Sequence, residues 1–320
     1  MSANSRLKKK TFLFLLGAAV LSLVLSSCGP GSHSAGEEDQ VKYLIGMSQA
    51  NLSEPWRVVM NEEIKEEALK YRDVRIIFTD AAQDSLKQIR DIENLLGQGI
   101  DLLMVSPNDE KLLAPVIARA NRQIPVIVLD RELEGGNYTL YIGADNKKIG
   151  TEAGELVYQL LGDKGGNVIE VQGLEGSPPV IQRSEGFRES ISRHPSIKIV
   201  DTIVANWMRD RTEDILKELY TRYPNVDVIF AHNDAMALGA HIAAQKMRVK
   251  NIKFIGVDGL PGPSGGIELV KTGILEGTFT NTFGGKDALQ YAIRILNKEK
   301  DLPKKVTLKS RILTRQTLNP

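Results

Sequence analysis

The chain has 320 residues, of which 42% are hydrophobic and 25% are charged, and its formal net charge is +1. These are the values of an ordinary globular protein, and they exclude collagen-like, intrinsically disordered and multi-span membrane proteins. A charge so close to zero provides no basic footprint for DNA or RNA, so we expect no nucleic-acid partner.

The first residues have the pattern of an export signal. Residues 1–10 are basic, and residues 12–25 form an apolar stretch that is too short for a comfortable membrane span. The stretch ends in Leu25-Ser26-Ser27-Cys28, which resembles a bacterial lipobox. The resemblance implies a lipoprotein signal peptide at 1–27 and lipidation of Cys28, the only cysteine in the chain. The alternatives are a plain secretory signal with an incidental cysteine, or an uncleaved single-span anchor.

Residues 28–40 are rich in Gly, Ser, Glu and Asp, which predicts a flexible tether. Four basic residues and no acidic ones precede Cys28, so the mature chain would carry 37 basic and 40 acidic side chains, a net charge of −3. Several acyl chains on one residue anchor a protein stably. We therefore expect a membrane lipoprotein on the extracytoplasmic face of the cell membrane.

From residue 41 onward, short apolar runs alternate with amphipathic stretches. The apolar runs are nearly continuous, as expected for parallel strands covered by helices on both faces. The alternation runs to about residue 129 and then restarts, which predicts an α/β fold of two doubly wound, Rossmann-like lobes. The predicted strands are 42–47, 74–78, 102–105, 126–129, 167–171, 197–204, 228–230 and 253–257, and the predicted helices are 56–71, 85–96, 111–122, 147–161, 183–192, 212–223 and 235–245.

Ligands of open parallel sheets bind beyond the carboxyl ends of the strands, and polar residues follow most of these strands. Asp130 and Arg131 offer adjacent acceptors and fixed donors, which suit sugar hydroxyls, although they could equally form a surface ion pair. Asp234 could simply cap a helix, and Asp258 could lie in an ordinary turn.

Two tryptophans lie at predicted loop–helix transitions. Trp56 and Trp207 could provide aromatic platforms for a sugar ring, or pack in the core. Arg57 and Arg209 lie close to them in the sequence and could reach the same cleft.

Signals for an enzyme are weak. Cys28 is assigned to the lipobox, and the four histidines (33, 194, 232 and 241) show no metal-ligand spacing. A Walker A loop and a GxSxG elbow are both missing from the sequence. We therefore expect no catalytic residues, no metal and no cofactor.

From about residue 41 to the C-terminus the chain resembles periplasmic sugar-binding proteins of the ribose-binding type, closest to the galactofuranose-binding branch. Each matching stretch is loose, but their order and spacing are specific. The stretches are Gly46-Met47-Ser48-Gln49, Pro55-Trp56-Arg57, Val128-Leu129-Asp130-Arg131, Val171-Gln172-Gly173, residues 182–187, residues 230–239 and residues 255–259.

The resemblance implies a role for each matching residue. Asp130 and Arg131 would grip adjacent hydroxyls, and Trp56 and Trp207 would sandwich the sugar ring. Asn233 and Asp258 would bind the ring from the second lobe, and Asn281 would lie at the hinge. Ser48 and Glu54 are weaker candidates, and Arg183 matches a family arginine that either faces the ligand or has a structural role.

Three departures from the family pattern put ribose itself in doubt. Trp56-Arg57 replaces two adjacent aromatics, Ile181 replaces a ligand arginine, and the loop at 51–55 is longer by about one residue. The identity and ring form of the sugar therefore stay open.

The resemblance also implies the type I fold of periplasmic binding proteins, with a hinge of three crossovers near 144–145, 281 and 305–306. The N-terminal lobe would hold residues 41–144 and 282–305, and the C-terminal lobe residues 145–281 and 306–320. Such a hinge lets two lobes close on a ligand.

Four functions fit these patterns to different degrees. The leading prediction is a lipoprotein that captures a monosaccharide and delivers it to an ABC permease. The alternative keeps the clamp but signals to a membrane histidine kinase or chemoreceptor. A LacI-type repressor would need a DNA-binding helix-turn-helix where the signal peptide stands. A sugar-processing enzyme using Asp130, Asp234 and Asp258 would need a nucleophile–base constellation that the sequence does not show.

Overall fold

A computed structural model describes residues 41–318. The predicted signal peptide, the lipidation site at Cys28 and the tether all lie outside the described residues.

The N-terminal lobe begins with three strand–helix units followed by two strands, and it ends with a helix and a strand that come after the chain's first passage through the C-terminal lobe. Its sheet has the order β11-β5-β4-β3-β1-β2, and every pair in it is parallel. Its elements are β1 (Tyr43–Gln49), α1 (Pro55–Ala68), β2 (Val74–Asp80), α2 (Ser85–Gly97), β3 (Leu102–Ser106), α3 (Glu110–Asn121), β4 (Val126–Leu129), β5 (Leu140–Ala144), α9 (Gly285–Leu296) and β11 (Lys305–Leu308).

The C-terminal lobe repeats this plan. Its sheet has the order β12-β10-β9-β8-β6-β7, and only the edge strand β12 runs antiparallel to its neighbour. Its elements are α4 (Asn146–Leu161), β6 (Gly166–Gln172), α5 (Pro178–Ile191), β7 (Ile197–Val204), α6 (Arg209–Arg222), β8 (Val228–Ala231), α7 (Asp234–Met247), β9 (Lys253–Ile255), α8 (Gly266–Lys271), β10 (Gly277–Phe279), β12 (Ile312–Thr314) and α10 (Arg315–Leu318).

Each sheet has an apolar core on both faces. In the N-terminal lobe, one core contains Met47 and Met104 and the other contains Leu103 and Val105, so β3 is buried on both sides. The central strands therefore read as continuous apolar runs. The predicted α/β class with two doubly wound lobes is confirmed.

An aspartate immediately before the first residue caps three of the helices. The side chains of Asp84, Asp109 and Asp145 accept hydrogen bonds from backbone N–H groups in the first turns of α2, α3 and α4. Each such cap contributes about 1 kcal/mol and sets where the chain leaves the preceding loop.

The chain passes between the lobes three times. The first two passages, after β5 and after β10, agree with the predicted positions. The third prediction is wrong, because Lys305–Leu308 pairs with β5 in the N-terminal sheet. The third passage therefore lies between Leu308 and Ile312, and the N-terminal lobe extends to residue 308.

Candidate functional site

The two lobes meet at a cleft. Ten of the twelve ligand-site residues predicted from the sequence line it. The lining consists of Glu54, Pro55, Trp56, Arg57, Asp130, Arg131, Pro179, Arg183, Trp207, Asn233, Ala235, Asp258, Leu260 and Asn281.

Two predicted residues lie outside this cleft. Ser48 is fully buried in β1, and its hydroxyl accepts from Gln88 Nε2 at 3.3 Å. Arg209 begins α6 with a half-exposed side chain and pairs with Asp210 at 2.9 Å. Side chains alternate between the two faces of a strand, and that of Ser48 points toward α2 and not into the cleft. Arg209 lies outside the cleft because it is the first residue of α6.

Arg57 organises the N-terminal wall. Its buried guanidinium donates through Nη1 to Gln49 Oε1 at 3.0 Å and to Ser106 Oγ at 2.6 Å. Its Nη2 donates to Asp130 Oδ2 at 3.4 Å, and its Nε lies 3.2 Å from Glu54 Oε1. Arg57 therefore lines the cleft and also positions the two carboxylates of this wall, Glu54 and Asp130.

Arg131 has capacity left for a ligand. The guanidinium is 2% exposed, and its Nη1 donates to the carbonyl of Asn108. Burial, together with the neighbouring Arg57, lowers the pKa of Arg131. Its Nε lies 4.0 Å from Asp130 Oδ2 and has no hydrogen-bond partner among the described residues. A buried donor of this kind favours a ligand acceptor.

Glu54 stays ionised at this wall. Burial acts to raise the pKa of its carboxyl, but Arg57, Arg131 and the amide of Asn51 outweigh it, and the net shift is downward. The carboxylate therefore balances the two arginines, and the wall offers both acceptors and fixed donors.

Arg183 forms the floor on the C-terminal side. Its Nε donates to Asn146 Oδ1 at 2.8 Å, and its Nη1 donates to the carbonyl of His232. The carboxamide of Asn281 lies between Arg183 and Trp56, and in the orientation that satisfies it, Oδ1 accepts from Arg183 Nη2 at 3.1 Å. Trp56 Nε1 also donates to the backbone carbonyl of Asn281 at 2.8 Å. The second crossover is thus tied to both lobes.

Asp258 is the most strongly perturbed acid of the cleft. Burial, and then the nearby Asp234 carboxylate, raises the pKa of Asp258 well above its ordinary value. Burial also raises the pKa of Asp234 to about 7. Asp234 accepts from Thr278 Oγ1 at 2.7 Å and from the Gly259 N–H at 2.8 Å, so it braces the turn that carries Asp258. A neutral Asp258 can donate to a ligand as well as accept.

Asn233, not Asp234, caps α7. Asn233 Oδ1 accepts from the Met236 N–H at 2.8 Å, and its Nδ2 donates to the carbonyl of Trp207 at 3.1 Å. The indole of Trp207 packs directly on Gly173, where an added Cβ would lie 2.2 Å from the ring. Only glycine allows this contact, which places the indole in the cleft wall.

Three cleft residues have a backbone conformation that side chains rarely adopt. The φ angle is 67° at Asp130, 67° at Trp207 and 124° at Asp258. Such conformations cost about 1–3 kcal/mol each and persist where the surroundings hold them. Each follows a strand or loop whose neighbours are fixed by the contacts above, so these side chains are oriented before any ligand binds.

Sequence reasoning missed the apolar part of the lining. Pro55, Pro179, Ala235 and Leu260 complete the walls, and Leu260 also packs in the core of the N-terminal lobe next to Trp56. No sequence signal marks Leu260, because its position depends on how the two lobes meet.

Behind the cleft, His232 and Glu170 form a buried pair with His232 Nε2 3.1 Å from Glu170 Oε1. Complete burial lowers the pKa of His232 against the opposing effect of Glu170. Burial opposes ionisation of Glu170, but His232 and Arg188 outweigh it and lower its pKa to about 2. Glu170 is therefore ionised and His232 neutral at pH 7.

From the buried His232–Glu170 pair we expect the folded protein to lose stability on acidification. A histidine with a lowered pKa stabilises the fold fully above its unfolded value of about 6.5, and this contribution is lost as the pH falls below that value. We expect this residue to lower the free energy of unfolding by up to about 1.4 kcal/mol per pH unit as the pH falls below about 6.5. Urea unfolding at a series of pH values below about 7 should show a shallower decline in His232→Gln than in the wild-type protein. Identical slopes in the two proteins would contradict the assignment.

Within residues 41–318, no group of three His, Cys, Asp or Glu side chains is arranged to hold a metal ion. In the same part of the chain, no helix has the length and apolar character needed to cross a membrane.

The model of the periplasmic binding protein domain family matches residues 45–300. The ribose import binding protein of Bacillus subtilis (strain 168) is 33% identical over 248 residues, which cover 77% of this chain and 78% of that protein. A galactofuranose-binding protein of Escherichia coli (strain K12) is 30% identical over 227 residues, 68% of this chain and 71% of that protein.

Solved structures have the same fold. A fructose-binding periplasmic domain of a hybrid two-component system is 37% identical and superposes with a TM-score of 0.82, covering 86% of this chain and 92% of that one. A galactofuranose-binding protein is 26% identical with a TM-score of 0.80, covering 86% and 96%. The family match spans most of the chain and both lobes. The chain therefore belongs to the periplasmic binding protein family, with the type I fold and the ribose-binding type of sequence.

Proposed function

We propose that this protein is a solute-binding protein that captures a monosaccharide between its two closing lobes, outside the cytoplasmic membrane, and delivers it to an ABC importer. The observation that carries the proposal is the convergence on one cleft of two indoles with the polar side chains of Arg131, Asp130 and Asp258. Aromatic faces suit the C–H faces of a sugar ring, and the polar groups match its hydroxyls. Relatives named for ribose and galactofuranose support this class of ligand.

Direct binding tests the proposal. Residues 29–320 are screened by thermal shift against ribose, arabinose, galactose, fructose, allose and myo-inositol, and positive sugars are measured by calorimetry. A ligand that binds only the folded state adds about 2.7 kcal/mol of stability at a hundredfold excess over Kd. If the protein is folded and none of these compounds raises its melting temperature, the sugar assignment fails.

A second candidate function uses the same sugar-binding cleft but a different partner protein. The fructose-binding periplasmic domain with 37% identity belongs to a hybrid two-component system, which favours a sensing protein that signals through a membrane histidine kinase or a chemoreceptor. A deletion strain separates the two. Loss of radiolabelled sugar uptake supports import, whereas normal uptake with lost sugar-dependent transcription or chemotaxis supports sensing.

We also propose a lipid anchor at Cys28, with cleavage after residue 27. The support is the sequence Leu25-Ser26-Ser27-Cys28 after a short apolar stretch. Metabolic labelling with an alkyne palmitate should tag the full chain in the membrane fraction, and Cys28→Ser should lose the tag and be released from the membrane. Labelling that persists in Cys28→Ser would overturn the anchor.

A further inference from the structure

A second groove adjoins the cleft. We call it the outer groove. Its cavity volume is about 530 Å³, and both lobes contribute to it: Val59 from α1, Met208 from the loop before α6, Leu238 from α7 and the loop at 260–265. The two cavities share Pro55, Trp207, Ala235 and Leu260 in their walls. The cleft is therefore continued outward by a larger space of different character.

The walls of the outer groove are mostly apolar. Its apolar lining includes Val59, Met208, Leu238, Leu260, Pro261 and Pro263. Its polar lining consists of Ser53, Ser264, Asp234, and Arg209 and Asp210, which pair with each other at 2.9 Å. The side chain of Met208 is 38% exposed. An apolar group that enters a groove of this kind gains free energy because hydrocarbon or aromatic surface is removed from water.

Trp207 joins the two spaces. Its indole lies in both walls, it is 9% exposed, and its Nε1 has no hydrogen-bond partner among residues 41–318. Buried indole N–H groups ordinarily have a partner. An unpaired donor at the junction is suited to an acceptor on a ligand that extends from the cleft into the groove.

From the shared wall, the apolar lining and the unpaired indole N–H, we infer that this protein accepts a glycoside. The sugar unit occupies the cleft, and an apolar aglycone occupies the outer groove. The inference rests on the proposed sugar-binding function and extends its ligand class from free monosaccharides to sugars that carry an alkyl or aryl group.

Calorimetry with three matched probes tests the inference: the free sugar, its methyl glycoside and its 4-nitrophenyl glycoside, for D-galactofuranose, L-arabinofuranose and D-glucopyranose. For the sugar that binds, we expect the 4-nitrophenyl glycoside to bind about tenfold more tightly than the methyl glycoside, since roughly 55 Å² of buried apolar surface corresponds to one decade in Kd. Equal affinities, or free sugars that bind while both glycosides do not, would overturn the inference and leave sugar binding intact. If no free sugar binds, the proposed function fails instead.

Groove variants locate the effect. Val59→Trp and Leu238→Trp narrow the outer groove. They should abolish the tighter binding of the 4-nitrophenyl glycoside over the methyl glycoside, which we call the aryl advantage, while the free sugar binds within twofold of the wild-type affinity. Met208→Ala removes part of the wall without adding bulk and should reduce the advantage. Leu86→Trp is the matched control, since Leu86 lies on α2 away from both cavities and is 62% exposed. An aryl advantage that survives in both tryptophan variants would place the aglycone elsewhere and overturn the inference.

Discussion

Asp130→Asn should lose most of the affinity for the sugar while the protein stays folded. Asp130 lies between Arg57 and Arg131 after the end of β4, 3.4 Å from Arg57 Nη2 and 4.0 Å from Arg131 Nε. Asparagine keeps the shape and tolerates the φ of 67°, but it removes the charge. A hydrogen bond to a charged group is worth about 1.5–3 kcal/mol, so each lost bond should raise Kd about 10- to 150-fold.

The substitution should also cost some stability, because two buried guanidinium groups lose a counter-charge. Calorimetric titration measures the affinity and urea unfolding the stability. Asp301→Asn is a matched control, since Asp301 has a φ of 60° and is exposed. An unchanged Kd in Asp130→Asn would remove this residue from the site, whereas a Kd raised equally in both variants would point to a general effect.

Gly150→Ala should destabilise the C-terminal lobe by about 3 kcal/mol. Helices α4 and α5 pack with their backbones in contact, and a Cβ on Gly150 would lie 2.0 Å from the carbonyl oxygen of Arg183. The clash is with backbone, so the helices must separate, and overpacking of this kind costs about 1–3 kcal/mol or more. Since the displaced residue is Arg183, sugar affinity should fall as well.

Gly97→Ala is the control for this substitution. Gly97 also lies in a helix, but a Cβ there meets nothing within 4 Å. Alanine should stabilise it by about 0.5–1 kcal/mol through its higher helix propensity. Thermal and urea unfolding measure both variants. Equal stability of the two would contradict the backbone contact between α4 and α5.

The repeated alternation of apolar runs and amphipathic stretches was sufficient to predict the class of the fold, because buried parallel strands and their covering helices each have a local signature. Strand β5 and helix α9 were not predicted, although α9 has a clear amphipathic pattern. Strand β11 was assigned to the wrong lobe because four residues, Lys305–Leu308, do not show which sheet they join. Strand pairing between residues over 160 positions apart is a tertiary property.

By itself, the sequence determined which polar and aromatic residues follow the strands, and the family resemblance added their roles. Ten of these twelve residues meet at one cleft, because the carboxyl ends of parallel strands lie at one edge of each sheet. The tertiary structure decided the rest. It placed Ser48 inside the sheet and Arg209 outside the cleft, raised the pKa of Asp258 by burying it beside Asp234, and added Leu260 and the outer groove. These features arise where two lobes meet, and burial and closeness between distant segments have no local pattern in a sequence.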